Sequence, residues 1–207
     1  MKKLLLGACV AIVTLATSCS SVESVEVTSS WKEPNKEVTV SNLNKVLVVA
    51  MFKKEANSHA AENQMVAYLG GKGIAGYNYL DKNSNLKNQD SLKEKMRADG
   101  FDGAVTMRLV DKDSGISYIP GSIVSYPAYY GTFAGYYYNN NEYSPAISEY
   151  PGIKTYSVEI NVYSIKENKI IWTGLTESID PGGVQKMTEK IVKTVYNKMV
   201  NEGFITK

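Results

Sequence analysis

The sequence predicts an α/β domain, of the α+β kind, with helices packed on a single mixed sheet of about five strands. Three observations predict it. Residues 45–51 (Lys-Val-Leu-Val-Val-Ala-Met) form a continuous apolar, β-branched run, the pattern of a strand buried on both faces. Segments of helical and strand period then alternate as far as residue 110. The chain closes with a strictly alternating hairpin followed by a long amphipathic stripe.

The elements follow in order. The helix expected over 58–69 has Ser58 as its N-cap, places Met65, Val66 and Leu69 on one side, and stops at Gly70, Gly71 and Gly73. Residues 74–80 are expected as a second strand. Asp90 or Ser91 is expected to cap a short helix that presents Leu92 and Met96 and ends at Gly100. Residues 101–110 then read as a strand with Phe101, Gly103, Val105, Met107 and Leu109 on one face. This β-α-β-α-β order implies right-handed crossovers. In 156–165, Tyr156, Val158, Ile160 and Val162 alternate with Ser157, Glu159 and Asn161, the latter expected to face solvent. Lys166-Glu167-Asn168-Lys169 makes the turn, and 170–178 returns as the second arm of the hairpin. After Asp180-Pro181-Gly182-Gly183, a closing helix carries Val184, Met187, Ile191, Val195 and Met199 as its apolar stripe, and Gly203 ends it.

The amino end predicts where the protein resides. Lys2 and Lys3 precede an apolar run over 4–16, which has the length of a signal-peptide core and is too short to span a bilayer. Ala16, Thr17 and Ser18 then lead to Cys19, a relaxed lipobox in which Leu15 stands four residues before the cysteine. The reading is a cleaved leader over 1–18, lipid on Cys19, a tether over 19–44 and a single domain over 45–207. More than one acyl chain is needed for a lasting anchor. Ser20 carries no aspartate retention signal, so the expected location is the outer membrane of a two-membrane envelope, lipid-anchored on its periplasmic or surface face. Within the tether, 24–28 alternates and is expected to add a short edge strand.

Composition excludes several classes of function. Apolar content of 43% supports an ordinary core. The formal charge of +2 leaves with Lys2 and Lys3, and a neutral domain has no electrostatic footprint for nucleic acid. Of the two cysteines, Cys9 lies in the leader, so no internal disulfide is expected. The single histidine, His59, rules out His-rich metal sites and is expected on the surface.

Residues 117–150 stand apart as an insertion rich in tyrosine, proline and asparagine. Tyrosine offers a flat apolar face and a hydroxyl at low entropic cost, which suits protein interfaces and sugar rings. Tyr126, Tyr129, Tyr130, Tyr136, Tyr137 and Tyr138 are therefore the candidate partner- or glycan-binding residues. The alternative is a long hairpin whose tyrosines cover the sheet or one another.

Four motifs carry the letters of catalytic or ligand sites without their context. Gly71-Lys72-Gly73-Ile74-Ala75-Gly76 follows a helix and enters a strand, the reverse of a dinucleotide loop. Asp111-Lys112-Asp113-Ser114-Gly115 opens like a calcium loop, but Ile116 and Ser122 stand where Gly and Glu are required. Ser29 and Lys32 have nucleophile-pair spacing inside the tether. Glu159 and Glu177 approach across the hairpin, where solvated charges are the expectation. No nucleophile, base and orienting group assemble, so neither catalysis nor a cofactor is expected.

Ser30-Trp31-Lys32-Glu33-Pro34, the 45–51 strand, Gly100-Phe101-Asp102-Gly103, the tyrosine insertion, Ile171-Trp172-Thr173-Gly174 and Asp180-Pro181 together resemble a family of bacterial envelope lipoproteins with a Trp-Lys-x-Pro start. The element order is also similar to the amino-terminal domain of TolB and to the CsgG and LpoB lipoproteins. That resemblance implies a non-enzymatic protein that binds partners, lines a secretion assembly or activates a peptidoglycan synthase. A CsgG-type pore is not expected, because the insertion lacks a clear pair of alternating membrane hairpins. The expected role is an accessory or scaffold lipoprotein docking an envelope protein; the alternative is a module binding peptidoglycan or polysaccharide.

Overall fold

The computed structural model describes residues 24–83, 88–110, 128–140, 155–179 and 183–206. The leader, Cys19, the 111–122 motif, Tyr126 and Asp180-Pro181 lie outside the described residues.

The α/β class holds, with six strands in the sheet. In chain order the elements are β1 (Val25–Lys32), β2 (Val38–Thr39), β3 (Val46–Met51), α1 (Glu55–Tyr68), β4 (Gly73–Ala75), α2 (Gly76–Leu80), α3 (Gln89–Ala98), β5 (Gly103–Val110), α4 (Phe133–Asn140), β6 (Thr155–Ser164), β7 (Lys169–Ile179), α5 (Val184–Asn201) and β8 (Ile205–Thr206). The main sheet runs β1-β7-β6-β5-β3-β4; β2 and β8 form a small parallel pair beside it. β3 pairs in parallel with β4 and β5, whereas β5, β6, β7 and β1 pair antiparallel, so the sheet is mixed.

The sixth strand comes from the predicted tether. β1 extends past residue 28 to Lys32 and lies along β7, with a bulge between Val27 and Ser29. Val25 and Val27 pack on the core from one face, while Trp31 packs on the other cluster. Lys32 of the Ser29/Lys32 pair donates from Nζ to the Glu202 carbonyl at 2.8 Å, a structural tie.

Helices cover both faces. On one, Val48, Ala50, Met107, Leu109, Val158 and Ile160 meet α1 and α5. On the other, Leu47, Val49, Met51 and Ala104 meet Leu92 and Met96 of α3 and Phe133 and Tyr136 of α4. All six residues of β3 are buried, as a strand sandwiched between helix layers requires.

Four local predictions are corrected. α1 starts at Glu55, and Ser58 sits inside it; its hydroxyl accepts from the Phe52 N–H (3.1 Å) and anchors the β3–α1 connection. The expected strand over 74–80 is a three-residue strand that turns directly into α2. Gly76 allows this turn, because a Cβ there would lie 2.9 Å from the Val48 carbonyl oxygen. α3 is capped by Asn88, whose Oδ1 accepts from the Ser91 N–H at 2.8 Å, so the cap falls before both Asp90 and Ser91. Phe101 precedes β5 and packs edge-on against Tyr79, on the face opposite Val105, Met107 and Leu109.

The hairpin, the closing helix and the stops follow the pattern. Gly70, Gly100 and Gly203 all have φ near +60 to +80° at helix ends, and Asn168 has φ +52° in the β6–β7 turn. Met187, Ile191, Val195 and Met199 are buried along α5.

Candidate functional site

Within the tyrosine-rich segment, residues Phe133–Asn140 form the helix α4. Thr132 caps it: its Oγ1 accepts from the Gly135 N–H at 3.2 Å. Phe133, Tyr136 and Asn140, at helical spacing, face the sheet and are buried. Tyr137 stacks on Phe133 with ring centroids 6.0 Å apart, and Tyr138 meets Tyr137 edge-on at 5.5 Å.

A buried polar chain pins this helix to the sheet. Arg108 of β5 stands directly opposite Glu159 of β6 in the strand register. Arg108 donates from Nε to the Tyr136 hydroxyl (2.8 Å) and from Nη2 to the Tyr130 hydroxyl (3.1 Å). The Tyr136 hydroxyl donates onward to Glu159 Oε1, and Asn161 Nδ2 donates to the same oxygen at 2.9 Å. Thr173 Oγ1 then donates to Asn161 Oδ1 at 2.5 Å. Arg108 Nη2 lies 3.9 Å from Glu159 Oε1.

Burial raises the Glu159 pKa above the ordinary carboxylate value, while the Arg108 charge and the hydrogen bonds from Tyr136 and Asn161 pull it back. Burial likewise pushes Tyr136 well above the ordinary phenol value, with the Glu159 charge adding to it. For Arg108, burial works against the charge, but Tyr136, Glu159 and Tyr130 outweigh it and hold the guanidinium protonated. The carboxylate is 2% exposed and its Oε1 is taken by two donors, so the arrangement is a lock. The expectation of a solvated Glu159 is corrected: α4 covers the strand face that the alternating pattern assigns to water. Glu177 lies on that same face, one register step along β7.

The six candidate tyrosines therefore divide. Tyr130 is buried and Tyr136 is 0% exposed, so neither offers surface to a partner; both hold α4 on the sheet. Tyr129 lies in the 3₁₀ turn Ala128–Gly131. Tyr137 and Tyr138 are half-buried, packed at the edge of the cluster that holds Phe133 and Tyr136. The described part of the insertion covers the sheet, as the alternative reading expects, but it does so as a helix.

Tyr137 also reaches a second feature. It lines a cleft of about 270 Å³ at the carboxyl end of β3, together with Glu55, Ser58, His59, Glu62 and Asp81. Glu62 is 3% exposed and accepts the Ala50 N–H (2.9 Å) and the Tyr77 N–H (3.0 Å), which ties β3 to the start of α2. Burial raises its pKa, partly offset by those N–H groups. His59 is half-buried rather than fully exposed, its ring 4.0 Å from Tyr77 and its Nε2 3.6 Å from Glu55. Among the described residues no group of three His, Cys, Asp or Glu is placed to hold a metal. Nor is any helix among them long and apolar enough to cross a membrane.

Sequence reasoning missed Arg108, Glu62, Asn161 and Thr173. One signal marked the first: Met107-Arg108-Leu109 puts a guanidinium inside an otherwise apolar central strand, where a charge needs a partner.

No protein-family model matches the chain, and neither does any curated protein sequence. Among solved structures, it is similar to a point variant of the PelC dodecamer from Paraburkholderia phytofirmans. That match has 9% identity and a TM-score of 0.41, over 84% of this chain and 95% of the other. Lipoprotein GNA1162 from Neisseria meningitidis gives 12% identity and a TM-score of 0.39, over 76% of this chain and 98% of that one.

Proposed function

We propose that the protein is a non-catalytic accessory lipoprotein, held at the outer membrane through lipid on Cys19, that docks an envelope protein on the outer face of α4. The observation that carries this reading is the Arg108–Tyr136–Glu159 lock. A helix with three consecutive tyrosines is fixed by burying one of them, which leaves Tyr137 and Tyr138 on a rigid support. Rigid aromatic side chains lose little entropy on contact and are favoured anchors at protein interfaces. The basic, apolar and small-residue pattern up to Cys19 supports the anchor, as does the Trp-Lys-x-Pro resemblance.

The cleft beside Tyr137 favours a second reading, a glycan site. A tyrosine ring next to Glu55, His59 and Asp81 combines a stacking face with hydrogen-bonding groups. One assay tests the anchor that both readings share, and a second separates them. Cys19→Ala is expected to move the protein out of the membrane fraction, and unchanged fractionation would remove the anchor. Co-sedimentation with purified sacculi, lost in Tyr137→Ser, would favour glycan over protein.

A further inference from the structure

The layer between the sheet and the α1–α5 pair does not close. A cavity of about 770 Å³ lies there, floored by Val105 and Met107 of β5 and Ile160 and Val162 of β6, with Met65 of α1 and Val195 of α5 among its walls. Val105 and Val162 are direct partners on adjacent central strands, yet both are only half-buried. Valine under a helix layer in the middle of a sheet is ordinarily sealed. Their accessible surface faces this cavity. Two of the exposed large side chains, Tyr68 on α1 (45%) and Tyr196 on α5 (37%), also line it, one on each helix.

The lining selects the chemistry of an occupant. Its middle is aliphatic, which gives sugars, nucleotides or water few partners. One end is polar: Lys36, Asp102, Lys166 and Glu167 gather where β5 starts and the β6–β7 turn begins. Shape excludes a docked helix, because α1 and α5 pack against each other over the cavity and a helix measures about 10 Å across. A polymethylene chain is thin and flexible enough to enter between them. The volume also sits within the roughly 300–1,000 Å³ of small-molecule pockets.

We infer that this cavity is a binding site for one long-chain acyl group, its hydrocarbon between the sheet and the two helices and its polar head among the charged side chains at the open end. The site lies on the face of the sheet opposite α4, so it stands or falls separately from the docking surface.

The test uses the purified protein and a fluorescent fatty acid displaced by saturated fatty acids of eight to sixteen carbons. Binding is expected to saturate at one ligand per chain. Affinity is expected to rise by up to about fourfold per added methylene, then level off when the cavity is filled. Val162→Trp, which fills the floor, is expected to weaken binding at least tenfold, and Tyr138→Ser on the other face to leave it unchanged. A fatty acid with a photoreactive terminal carbon gives a readout on the unsubstituted chain, with adducts expected on the lining residues of β2, β5, β6, β8, α1 or α5. Unsaturable binding, an affinity independent of chain length, or adducts confined to residues outside the lining would overturn the assignment.

Discussion

Arg108 and Glu159 face each other across β5 and β6, and the pair is bridged by a hydroxyl that neither strand supplies. The bridge is Tyr136, so a polar cross-strand pair in the sheet becomes the attachment point of a helix whose tyrosine lies 28 residues from Arg108 and 23 from Glu159 in the chain.

Tyr136→Phe keeps the ring and removes the bridge. Arg108 Nε and Glu159 then each lose a buried partner, at an expected cost of about 1–3 kcal/mol. Urea unfolding measures it. Hydrogen exchange should show the loss of protection concentrated in α4.

Arg108→Met leaves the Glu159 carboxylate buried without its counter-charge, and the expected loss is about 3–5 kcal/mol. The double variant with Glu159→Gln should recover part of it, because the stranded charge is removed. A double-mutant cycle in urea reads the coupling directly.

The pH profile has two opposed contributions. Glu62 and Glu159 have folded-state pKa values raised from 4.5, so the native state binds their protons more tightly than the unfolded chain does. Their effect is a stability loss that develops as pH rises from about 4.5 toward the raised folded values. Glu202 behaves in the opposite way. Burial works against its charge, but hydrogen bonds from Ser30, Trp172 and Lys198 outweigh it and lower the pKa. Its contribution is present above about 4.5 and is lost as pH falls through the depressed value. Relative to the parent protein, Glu159→Gln should therefore gain stability as pH rises, and Glu202→Gln should lose its deficit as pH falls. Unfolding free energies between pH 3 and 8 check both signs.

Gly174→Ala tests the packing of the largest buried side chain. A Cβ at Gly174 would lie 2.4 Å from Cη2 of Trp172, whose Nε1 is fixed to Glu202 at 2.9 Å. The indole cannot swing away without releasing that bond. Overpacking of this kind is expected to cost about 1–3 kcal/mol, read from the urea midpoint.

Legibility in the sequence followed how local each cause was. β6, β7 and α5 were readable because period-two and 3.6-residue patterns arise within each segment. The positive-φ stops at Gly70, Gly100 and Gly203 were readable for the same reason. β4 and α2 were not separable, since the turn between them depends on Val48 and Glu62 approaching Gly76 from elsewhere in the chain. The polar face of β6 misled for a related reason. Ser157, Glu159 and Asn161 match a solvated strand face, and only the arrival of α4 with Arg108 beneath it makes that face interior. The tyrosines were correctly singled out as a group, but which of them point inward is fixed by the helical phase of α4. That helix is hidden in a segment of tyrosine and asparagine with little helix propensity.

In-cell photo-crosslinking tests the docking claim most directly. A photoreactive residue at Tyr137 or Tyr138 is expected to give one discrete protein adduct in the membrane fraction, and the same probe at exposed Lys193 on α5 should give none. Adducts at Lys193 but not on α4, or none at either tyrosine position, would contradict the account.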